Sequence, residues 1–383
     1  TESAIRNDAF KKQEMERMIR RMGFREQKIY FYDHHLSHAY AAFYASPFEQ
    51  ALVVTIDGRG DFKSATVSEA SRKQGFKILD SVSMFSSPGI LYGFITKYLG
   101  FTPDKHEGKV TGLAAFGDRR SCIHILKKMM TLRKGHFFAN MGKYYTPFMK
   151  GKLPQLEREL SKYSKEDVAA AAQHSLEKLV IQYIAPFLKK TKMHNVCLAG
   201  GVFGNVKLNQ IILELKNVNN IFVFPHMGDG GNAFGGALIK LYQLGRELNS
   251  PFTHVYLGPE WTNSEVKRIL EKLNNKVIYC SLEDFTIRRV AQDLSQEKIV
   301  GLFRGRMEYG PRALGARTIL SSATDPDIAN KLNKRLLILI SPGLIVYKKQ
   351  KILTPNIGFN LFHLNTNILK HSSNIMNKFF WST

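Results

Sequence analysis

The chain has 383 residues, of which 44% are hydrophobic and 11% aromatic, and its formal net charge is +23. This apolar content is sufficient for two compact domains and excludes intrinsic disorder for most of the chain. The three cysteines are widely separated, which excludes a disulfide framework and predicts a reducing, cytoplasmic setting. The sequence shows neither a signal segment nor an apolar run of about 18 residues, so we expect no export and no membrane span.

The positive charge is concentrated towards the C-terminal end. Residues 328–383 contain eight Lys and Arg side chains and no Asp or Glu. Basic proteins attract phosphate over long distances, but a sequence-specific nucleic-acid reader usually also has a recognisable module that combines basic and aromatic residues. The sequence contains no such module, so we do not expect nucleic-acid binding as the main function.

Hydrophobic periodicity and turn formers predict alternating helices and strands along the chain. The first predicted helix is basic and ends near residue 28, and the second is capped by Asp33 and ends at residue 45. Further helices are predicted at about 88–99, 165–189, 206–215, 233–244 and 264–273, and a last one ends at residue 294. The predicted strands span 29–32, 51–56, 64–67, 195–199, 221–224, 277–280 and 299–303. Residues 57–61 are expected to form a hairpin turn, and residues 105–109 to begin a loop. Strands that alternate with glycine turns and helices indicate an α/β fold.

Composition divides the chain further. A domain boundary is predicted near residues 246–259, because Asn249-Ser250-Pro251 is rich in turn formers and the pattern changes after it. From about residue 336 the sequence lacks acidic residues and follows neither a helical nor a strand period. This final stretch differs from the rest of the chain.

Two histidines on the second predicted helix have the spacing of metal ligands. His34 and His38 lie one helical turn apart, so both imidazoles can reach one divalent ion. Two ordinary surface or core histidines can have the same spacing, and a metal also needs an anionic ligand. Asp57 or Asp229 could complete a two-histidine, one-carboxylate triad, which suits Fe²⁺ or a similar ion. His35 lies on another face of the helix and is predicted to be structural.

Two glycine turns each follow a predicted strand and precede a predicted helix. They are Gly200-Gly201-Val202 and Gly228-Asp229-Gly230-Gly231. Backbone N–H groups and a helix N-terminus would face an anion at such a turn, where a larger side chain would block a phosphate. Each turn alone could be an ordinary connection between a strand and a helix. Two of them, together with the acidic turn at Asp57, favour a nucleotide cleft of the actin and sugar-kinase kind.

Two clusters of charged residues are candidates for substrate contact. Four arginines share a short span around Glu308: Arg304, Arg306, Arg312 and Arg317. Their planar guanidinium groups suit phosphate or carboxylate ligands, and the alternative is a solvated basic surface. Lys105, Glu107 and Lys109 share one glycine-containing loop and could position a substrate. The alternative for this second cluster is an exposed charged loop.

Seven segments together resemble the nodulation-protein and antibiotic O-carbamoyltransferase family (NodU/CmcH type). They occur in the family's order within about residues 30–335, and they are Asp33–Ala39, Ala45–Phe48, Val54–Gly58, His106–Gly117, Leu198–Val202, Gly228-Asp229 and Tyr309–Gly315. The resemblance implies an α/β chain with an actin-like, sugar-kinase-like (ASKHA) domain in residues 1–245 that lacks its first strands. A partial YrdC-like domain is expected in residues 255–335. Residues 336–383 are expected to be an atypical tail outside the native family sequence, so the chain is expected to be incomplete at both ends.

The same resemblance implies an ATP-dependent O-carbamoyltransferase. In this family the YrdC-like domain makes carbamoyl-adenylate from carbamoyl phosphate and ATP, and the actin-like domain transfers the carbamoyl group to a hydroxyl of a sugar or natural product. The expected partners are therefore small molecules, namely carbamoyl phosphate, ATP and a hydroxylated glycoside, and the expected cofactor is Fe²⁺ or a similar divalent metal. One alternative is a tRNA threonylcarbamoyl transferase, which shares the histidine pair and suits a basic chain. Another is an inactive, anion-binding remnant.

The resemblance also implies roles for individual residues. His34, His38 and Asp229 match the iron ligands. The residues expected to contact the adenylate are Asp57, Gly58, Gly200, Gly201, Val202, Asn205 and Gly228. The residues expected to handle phosphate and carbamoyl groups are Arg306, Arg312 and Arg317, and the candidate catalytic residues are Lys105, Glu107 and Lys109. The sequence does not single out the general base that should take the acceptor's proton.

Overall fold

The computed structural model describes residues 2–322 apart from 26, 148, 150, 151, 249, 250 and 273–286, and it also describes residue 328. The described helices are α1 (Glu2–Arg21), α2 (His34–Ala45), α3 (Pro88–Tyr98), α4 (Glu107–Leu113), α5 (Ile123–Met129), α6 (Pro154–Leu160), α7 (Lys165–Thr191), α8 (Val206–Leu213), α9 (Asn232–Gln243), α10 (Asn263–Lys272) and α11 (Ile287–Ser295). The described strands are β1 (Gln50–Gly60), β2 (Lys63–Ser71), β3 (Gly75–Ser83), β4 (Met130–Arg133), β5 (His136–Ala139), β6 (Asn195–Ala199), β7 (Asn220–Val223), β8 (Val300–Phe303) and β9 (Arg317–Leu320). None of these helices combines the length and the apolar character that a membrane crossing requires.

The first of two structural units ends at Asp33 and contains α1. Arg20, in the last turn of this helix, pairs with Glu16 at 3.2 Å. Its guanidinium group also donates to the backbone oxygens of Phe24 at 3.2 Å and Gln27 at 2.9 Å. A cation at this end of a helix is favourable because it lies near the negative end of the helix dipole.

The second unit contains a mixed five-stranded sheet in the order β3-β2-β1-β6-β7. β1, β2 and β3 are antiparallel neighbours, whereas β1, β6 and β7 run parallel. Two smaller sheets pair β4 with β5 and β8 with β9, both antiparallel. The predicted α/β fold class is therefore confirmed at the level of a mixed sheet with helices.

Helices cover both faces of the sheet. Leu52 and Val54 of β1 belong to the main core, which also contains the apolar faces of α3 and α7. Thr55, which alternates with them, points to the opposite face, where its hydroxyl lies 2.7 Å from Nδ1 of His35 on α2. A strand buried on both faces has a nearly continuous apolar sequence, which is why 51–56 could be predicted.

The carboxyl ends of three strands meet at one edge of the sheet. Thr55 of β1 pairs with Ala199 of β6, and β7 lies beside β6 in the same direction. Asp57 lies in the irregularly paired end of β1, and the loops that follow β6 and β7 carry Gly200 and Asp229, so the three residues lie at the same edge. This edge is where open α/β sheets place their ligands.

Several predicted elements are confirmed within two residues. These are the helices α2, α3, α7, α8, α9 and α10 and the strands β6, β7 and β8. Strands β1 and β2 begin within one residue of their predicted starts, but both end four residues later than predicted. The free cysteines Cys122 and Cys197 are both buried. The predicted strand 277–280, Cys280 and the tail from residue 336 lie outside the described residues. The predicted domain boundaries at 245 and 255 stay predictions.

Four local predictions are wrong. The first helix was predicted to end near residue 28 but ends at Arg21, because Gly23 has a positive φ of 102° that stops the helix. Residues 29–32 form no strand, because none of the described strands pairs with this segment and β-rich composition alone does not make a strand. The hairpin turn lies at Asp61 and Phe62, both with positive φ, since β1 continues to Gly60 beyond an irregularity in its pairing. The predicted loop after Lys105 is mostly the short helix α4.

Four strands were not predicted. β9, which pairs with β8, has only four residues and none of them is fully buried. β3 is an edge strand whose residues are mostly exposed or half-buried, so its sequence shows little apolar alternation. β4 and β5 have only four residues each and form a separate hairpin. Such short strands give a weak periodic signal.

Candidate metal centre

Helix α2 presents two imidazoles to the carboxyl edge of the sheet. The rings of His34 and His38 lie 4.8 Å apart between centroids in an edge-to-face arrangement. The His34 ring packs so closely against Gly60 that a Cβ atom at that position would lie 2.1 Å from it. The backbone N–H of His34 donates to Asp61 Oδ2 at 2.7 Å, which fixes the first turn of the helix to the β1–β2 hairpin.

Two aspartates meet the histidines from different elements. His38 Nε2 lies 3.0 Å from Asp57 Oδ2 and 3.6 Å from Asp229 Oδ1. His34 Nε2 lies 3.5 Å from Asp57 Oδ2 and 3.5 Å from Asp229 Oδ1. One ligand atom from each of the four side chains lies within 4.8 Å of every other. Sequence reasoning left open which aspartate completes the triad, and the structure brings both of them to the histidine pair.

Asp57 is held in place by its backbone and by its own side chain. Ser87 caps α3 by accepting from Ile90 N–H at 3.1 Å, and its hydroxyl donates to the Asp57 carbonyl at 2.9 Å. The backbone N–H of Gly58 donates to Asp57 Oδ1 at 2.6 Å. The Asp57 carboxylate thus keeps Oδ2 directed at the imidazoles.

Close packing between α2 and α9 brings Asp229 to the same place. A Cβ atom at Gly235 of α9 would lie 1.9 Å from the carbonyl oxygen of Ser37 on α2, so only glycine allows this approach. Asp229 lies in the 3₁₀ turn that leads into α9. Its side chain is 75% exposed, whereas that of Asp57 is 15% exposed.

The electrostatics of the cluster favour an ionised carboxylate beside a charged imidazole. Burial raises the pKa of Asp57, but the polar contacts with the His34 and His38 imidazoles outweigh burial and hold this pKa well below its usual range. Burial lowers the pKa of His38, but the neighbouring carboxylates of Asp229 and Asp57 outweigh burial and raise this pKa above its usual value. A cation placed among the four groups would take over the role of the proton.

The donor set fits a divalent metal ion. Imidazole nitrogens and carboxylate oxygens are common ligands of Fe²⁺ and similar ions. His34 Nε2 is buried and has no hydrogen-bond partner. In its unprotonated form such a nitrogen can donate its electron pair to a metal, so the residues present are compatible with a bound ion.

His35 lies on the sheet side of α2. Its Nδ1 atom is 2.7 Å from the Thr55 hydroxyl, which in turn lies 2.7 Å from the hydroxyl of Thr66. Burial, together with the neighbouring His34, lowers the pKa of His35 to about 4. A neutral imidazole hydrogen-bonded to a strand supports the structural role that its position predicts.

The Gly200–Gly201 turn borders the cluster. Gly200 has a φ of +99°, and a Cβ atom there would lie 2.2 Å from the Ile56 carbonyl oxygen. A Cβ atom on Gly201 would lie 3.1 Å from Asp57 Oδ1. The backbone N–H of Gly200 donates to Met227 O at 2.7 Å. This turn therefore lies between the end of β1 and the loop that carries Asp229.

The other predicted adenylate contacts lie around this edge in different environments. Val202 is partly buried against the main core. A Cβ atom at Gly228 would meet no heavy atom within 4 Å. Asn205 caps α8 by accepting from Leu208 N–H at 3.0 Å. The Asn205 amide also faces Gln173 of α7, with Nδ2 donating to Gln173 Oε1 at 2.7 Å.

The Arg-rich segment reaches the same sheet edge through Arg312. One of its nitrogens donates to the Gly204 carbonyl at 2.6 Å, and the side chain has no ion pair among the described residues. Arg317 instead pairs with Glu308, which is 3% exposed and whose carboxylate also accepts the backbone N–H groups of Leu314, Ala316 and Arg317. Arg306 is exposed and lies 3.5 Å from Glu260. The three arginines predicted to handle phosphate thus differ in their surroundings.

The three candidate catalytic residues lie at or beside α4. Lys105 is exposed, and Glu107 accepts from Asp104 N–H at 2.8 Å. Lys109 is 2% exposed, its Nζ has no hydrogen-bond partner, and it lies 5.6 Å from the centre of the Phe101 ring. Within the described part of the chain, no hydrogen bond or ion pair joins Lys105, Glu107 or Lys109 to the four-residue cluster.

Two residues at the site were missed by sequence reasoning. Asn232 contacts both imidazoles, and its spacing of three residues from Asp229 would have placed both side chains on one helix face. Gln173 is 6% exposed inside α7 and bonds to Tyr92, Glu177 and Asn205. A polar residue on the apolar face of a long helix was the available signal.

Comparisons with known proteins relate the sequence of this chain to one family. A profile described as "Carbamoyltransferase N-terminus" matches residues 3–238, and one described as "Carbamoyltransferase C-terminus" matches residues 291–337. An uncharacterized protein of Methanocaldococcus jannaschii is 31% identical over 80% of this chain and 53% of its own length. Nodulation protein NolNO of Sinorhizobium fredii is 33% identical over 80% of this chain and 46% of its own. The chain thus spans about half the length of the curated relatives it matches.

One solved structure shares a more distant likeness. Full-length HypF in its phosphate- and nucleotide-bound form superposes with a TM-score of 0.34 and 14% identity, over 56% of this chain and 43% of that one. A TM-score this low carries no argument about the fold.

Proposed function

This chain belongs to the carbamoyltransferase family, and on that premise we propose that it is part of an ATP-dependent O-carbamoyltransferase whose two-histidine, two-aspartate cluster holds Fe²⁺ or a similar ion. The observation that carries the proposal is the convergence of four ligand atoms within 4.8 Å at the carboxyl edge of the sheet. Such an ion supplies Lewis-acid polarisation of the donor or an anchor for its phosphate. We propose His34, His38, Asp57 and Asp229 as its ligands.

The proposed donor is carbamoyl-adenylate, made from carbamoyl phosphate and ATP. In the transfer step a hydroxyl oxygen of the acceptor bonds to the carbamoyl carbon, the bond from that carbon to the phosphate oxygen breaks, and AMP leaves. The hydroxyl proton passes to a base. The proposed acceptor is a sugar or natural product, since the sequence resembles enzymes that use these hydroxyls.

The glycine turn supports an adenylate position beside the cluster. Gly200 and Gly201 keep this part of the edge free of side-chain bulk, and Gly201 borders Asp57 directly. Arg312 donates to the neighbouring Gly204 carbonyl and has no carboxylate partner among the described residues, so its remaining N–H groups suit a phosphate. We propose that this arginine contacts the donor. Arg317 and Arg306 already have Glu308 and Glu260 as partners.

Helix α4 is the proposed source of the acid-base groups. Burial raises the pKa of Glu107, which brings a carboxyl group nearer to the range of a general base. Burial lowers the pKa of Lys109, and its orphaned ammonium group would gain from an anionic partner. Thr111 of the same helix lies 3.3 Å from the Asn205 amide, so α4 is joined to the glycine turn. An actin-like first domain, a YrdC-like second domain and a cytoplasmic setting complete the proposal.

A transfer assay tests this function. The full chain is loaded with Fe²⁺ under anaerobic conditions and incubated with carbamoyl-adenylate and a panel of hydroxylated glycosides. We expect a glycoside heavier by one carbamoyl group and an equal amount of AMP, both detected by mass spectrometry. H38A should abolish the product, whereas E271Q, at an exposed position of α10, should not.

Other outcomes overturn the proposal. Metal-loaded protein that yields neither AMP nor a carbamoylated glycoside would refute carbamoyl transfer by this chain. Product formed only from threonylcarbamoyl-adenylate and tRNA would establish the tRNA-modifying alternative instead.

A further inference from the structure

The amide of Asn232 lies against both imidazoles of the proposed metal centre. Asn232 is the first residue of α9, and its amide nitrogen is 3.3 Å from His34 Nδ1 and 3.4 Å from His38 Nε2. In this orientation the other end of the amide, Oδ1, is buried without a hydrogen-bond partner. No described residue other than Asn232 forms a hydrogen bond with His34 Nδ1.

The chemistry of a metal-bound histidine decides whether the oxygen or the nitrogen of the Asn232 amide faces the His34 ring. A neutral imidazole that binds a metal through Nε2 carries its proton on Nδ1 and almost always donates that proton to an acceptor. Among the residues that the structure describes, the Asn232 amide is the group positioned to accept from His34 Nδ1. The two ends of an amide are alike in shape and are assigned from their hydrogen bonds, so a reversed amide would place the oxygen at the same point.

We propose that Asn232 is a positioning residue of the metal centre, whose amide oxygen accepts the Nδ1–H of His34 and directs the Nε2 lone pair at the metal. This inference rests on the proposed function, because it requires a metal at the cluster. The tight approach of α9 to α2 at Gly235 and Ser37 holds the amide beside the ring. Asn232 thereby links the loop that supplies Asp229 to the helix that supplies both histidines.

Binding of Co²⁺ to the full chain tests the role of Asn232. The visible spectrum of Co²⁺ reports the ligand geometry, and competition with a chelator gives the dissociation constant. We expect N232A to raise the Kd for Co²⁺ by about 10- to 100-fold, the range typical of lost hydrogen-bond partners of metal-binding histidines, and to change the spectrum. N232D retains an oxygen acceptor and should restore both the affinity and the spectrum. N219A, an exposed asparagine on a loop, is the matched control and should leave both unchanged.

The possible results separate this inference from the metal site itself. If N232A binds Co²⁺ with the wild-type Kd and spectrum, Asn232 has no positioning role. If the wild-type chain and H38A bind Co²⁺ equally poorly, the metal centre of the proposed function is refuted, and the role of Asn232 with it. If circular dichroism shows that N232A is unfolded, N232S replaces it, since serine is favoured at helix starts but is too short to reach His34.

Discussion

At the scale of single residues, the two aspartates of the cluster have different structural duties. Asp57 is mostly buried, and its carboxylate accepts from Gly58 N–H and from the imidazoles. Asp229 is 75% exposed, and of the two it depends less on the surrounding fold. We infer that Asp57 both stabilises the fold and is a ligand of the proposed metal, whereas Asp229 is mainly a ligand of the proposed metal.

Replacing each aspartate by asparagine should separate these duties. D229N should change the free energy of unfolding by less than about 0.5 kcal/mol, because the side chain is exposed. D57N should lower it by about 1–3 kcal/mol, because buried hydrogen-bonding groups lose their charged partner. Both should weaken metal binding. Urea unfolding and metal titration provide the two measurements.

D104N is the matched control for both substitutions, since Asp104 is exposed and its described hydrogen bond is to Glu107, outside the four-residue cluster. If D229N retains wild-type metal affinity, Asp229 is not a ligand. If D57N is as stable as the wild type, the structural duty assigned to Asp57 is wrong.

At the scale of elements, the contact between α2 and α9 sets the distance between the histidines and Asp229. G235A should place a Cβ atom where the Ser37 carbonyl now lies, since the distance would be only 1.9 Å. We expect a loss of about 1–3 kcal/mol in stability, typical of overpacking, and a weaker metal affinity because α9 must move away. Thermal unfolding and metal titration measure these effects.

G301A provides the comparison, because a Cβ atom at Gly301 of β8 would meet no atom within 4 Å. It should leave the metal affinity unchanged. A G235A protein with wild-type stability and affinity would show that the α2–α9 contact does not position the site.

Helices α5 and α6 are joined by hydrogen bonds to the charged side chain of Glu159. Glu159 of α6 accepts from Lys128 of α5 at 2.8 Å and from the Tyr144 hydroxyl at 2.7 Å. These bonds lower the pKa of Glu159 from its usual 4.5 to about 2, and the bond from Lys128 contributes most. Because the folded-state pKa is depressed, this contribution to stability is complete above about pH 4.5 and is lost as the pH falls towards 2.

E159Q should therefore reduce the loss of stability between pH 4.5 and pH 2 relative to the wild type. Urea unfolding at several pH values across this window measures the difference. E271Q, at an exposed position of α10, should keep the wild-type pH dependence. Identical pH profiles for E159Q and the wild type would contradict the assigned role of Glu159.

The elements also show what sequence could and could not predict. Strand 195–199 was predicted to the residue, because its apolar run ends at a glycine turn with a strict conformational requirement at Gly200. Helix spacing likewise predicted the histidine pair. The joint use of Asp57 and Asp229 depends on strand order and on the α2–α9 approach. These are long-range properties that no local pattern reveals.

At the scale of the whole molecule, one sheet edge gathers contributions from distant parts of the sequence. Helix α2, the end of β1, the Gly200 turn and the Asp229 loop all meet there. The later Arg-rich segment joins them, since Arg312 bonds to Gly204 and a Cβ atom at Gly310 would lie 2.5 Å from the Pro225 carbonyl oxygen. The family resemblance implies nucleotide, metal and phosphate contacts in these same segments, and these assignments stay predictions.

The central claim is that His34, His38, Asp57 and Asp229 together bind one divalent ion. The most direct measurement is the metal content of the full chain after anaerobic loading with Fe²⁺ and removal of excess ion, compared with H38A protein whose fold is verified by circular dichroism. The claim predicts one iron per wild-type chain and essentially none in H38A. A folded wild-type chain that retains no iron, or an H38A chain that retains as much as the wild type, would contradict it.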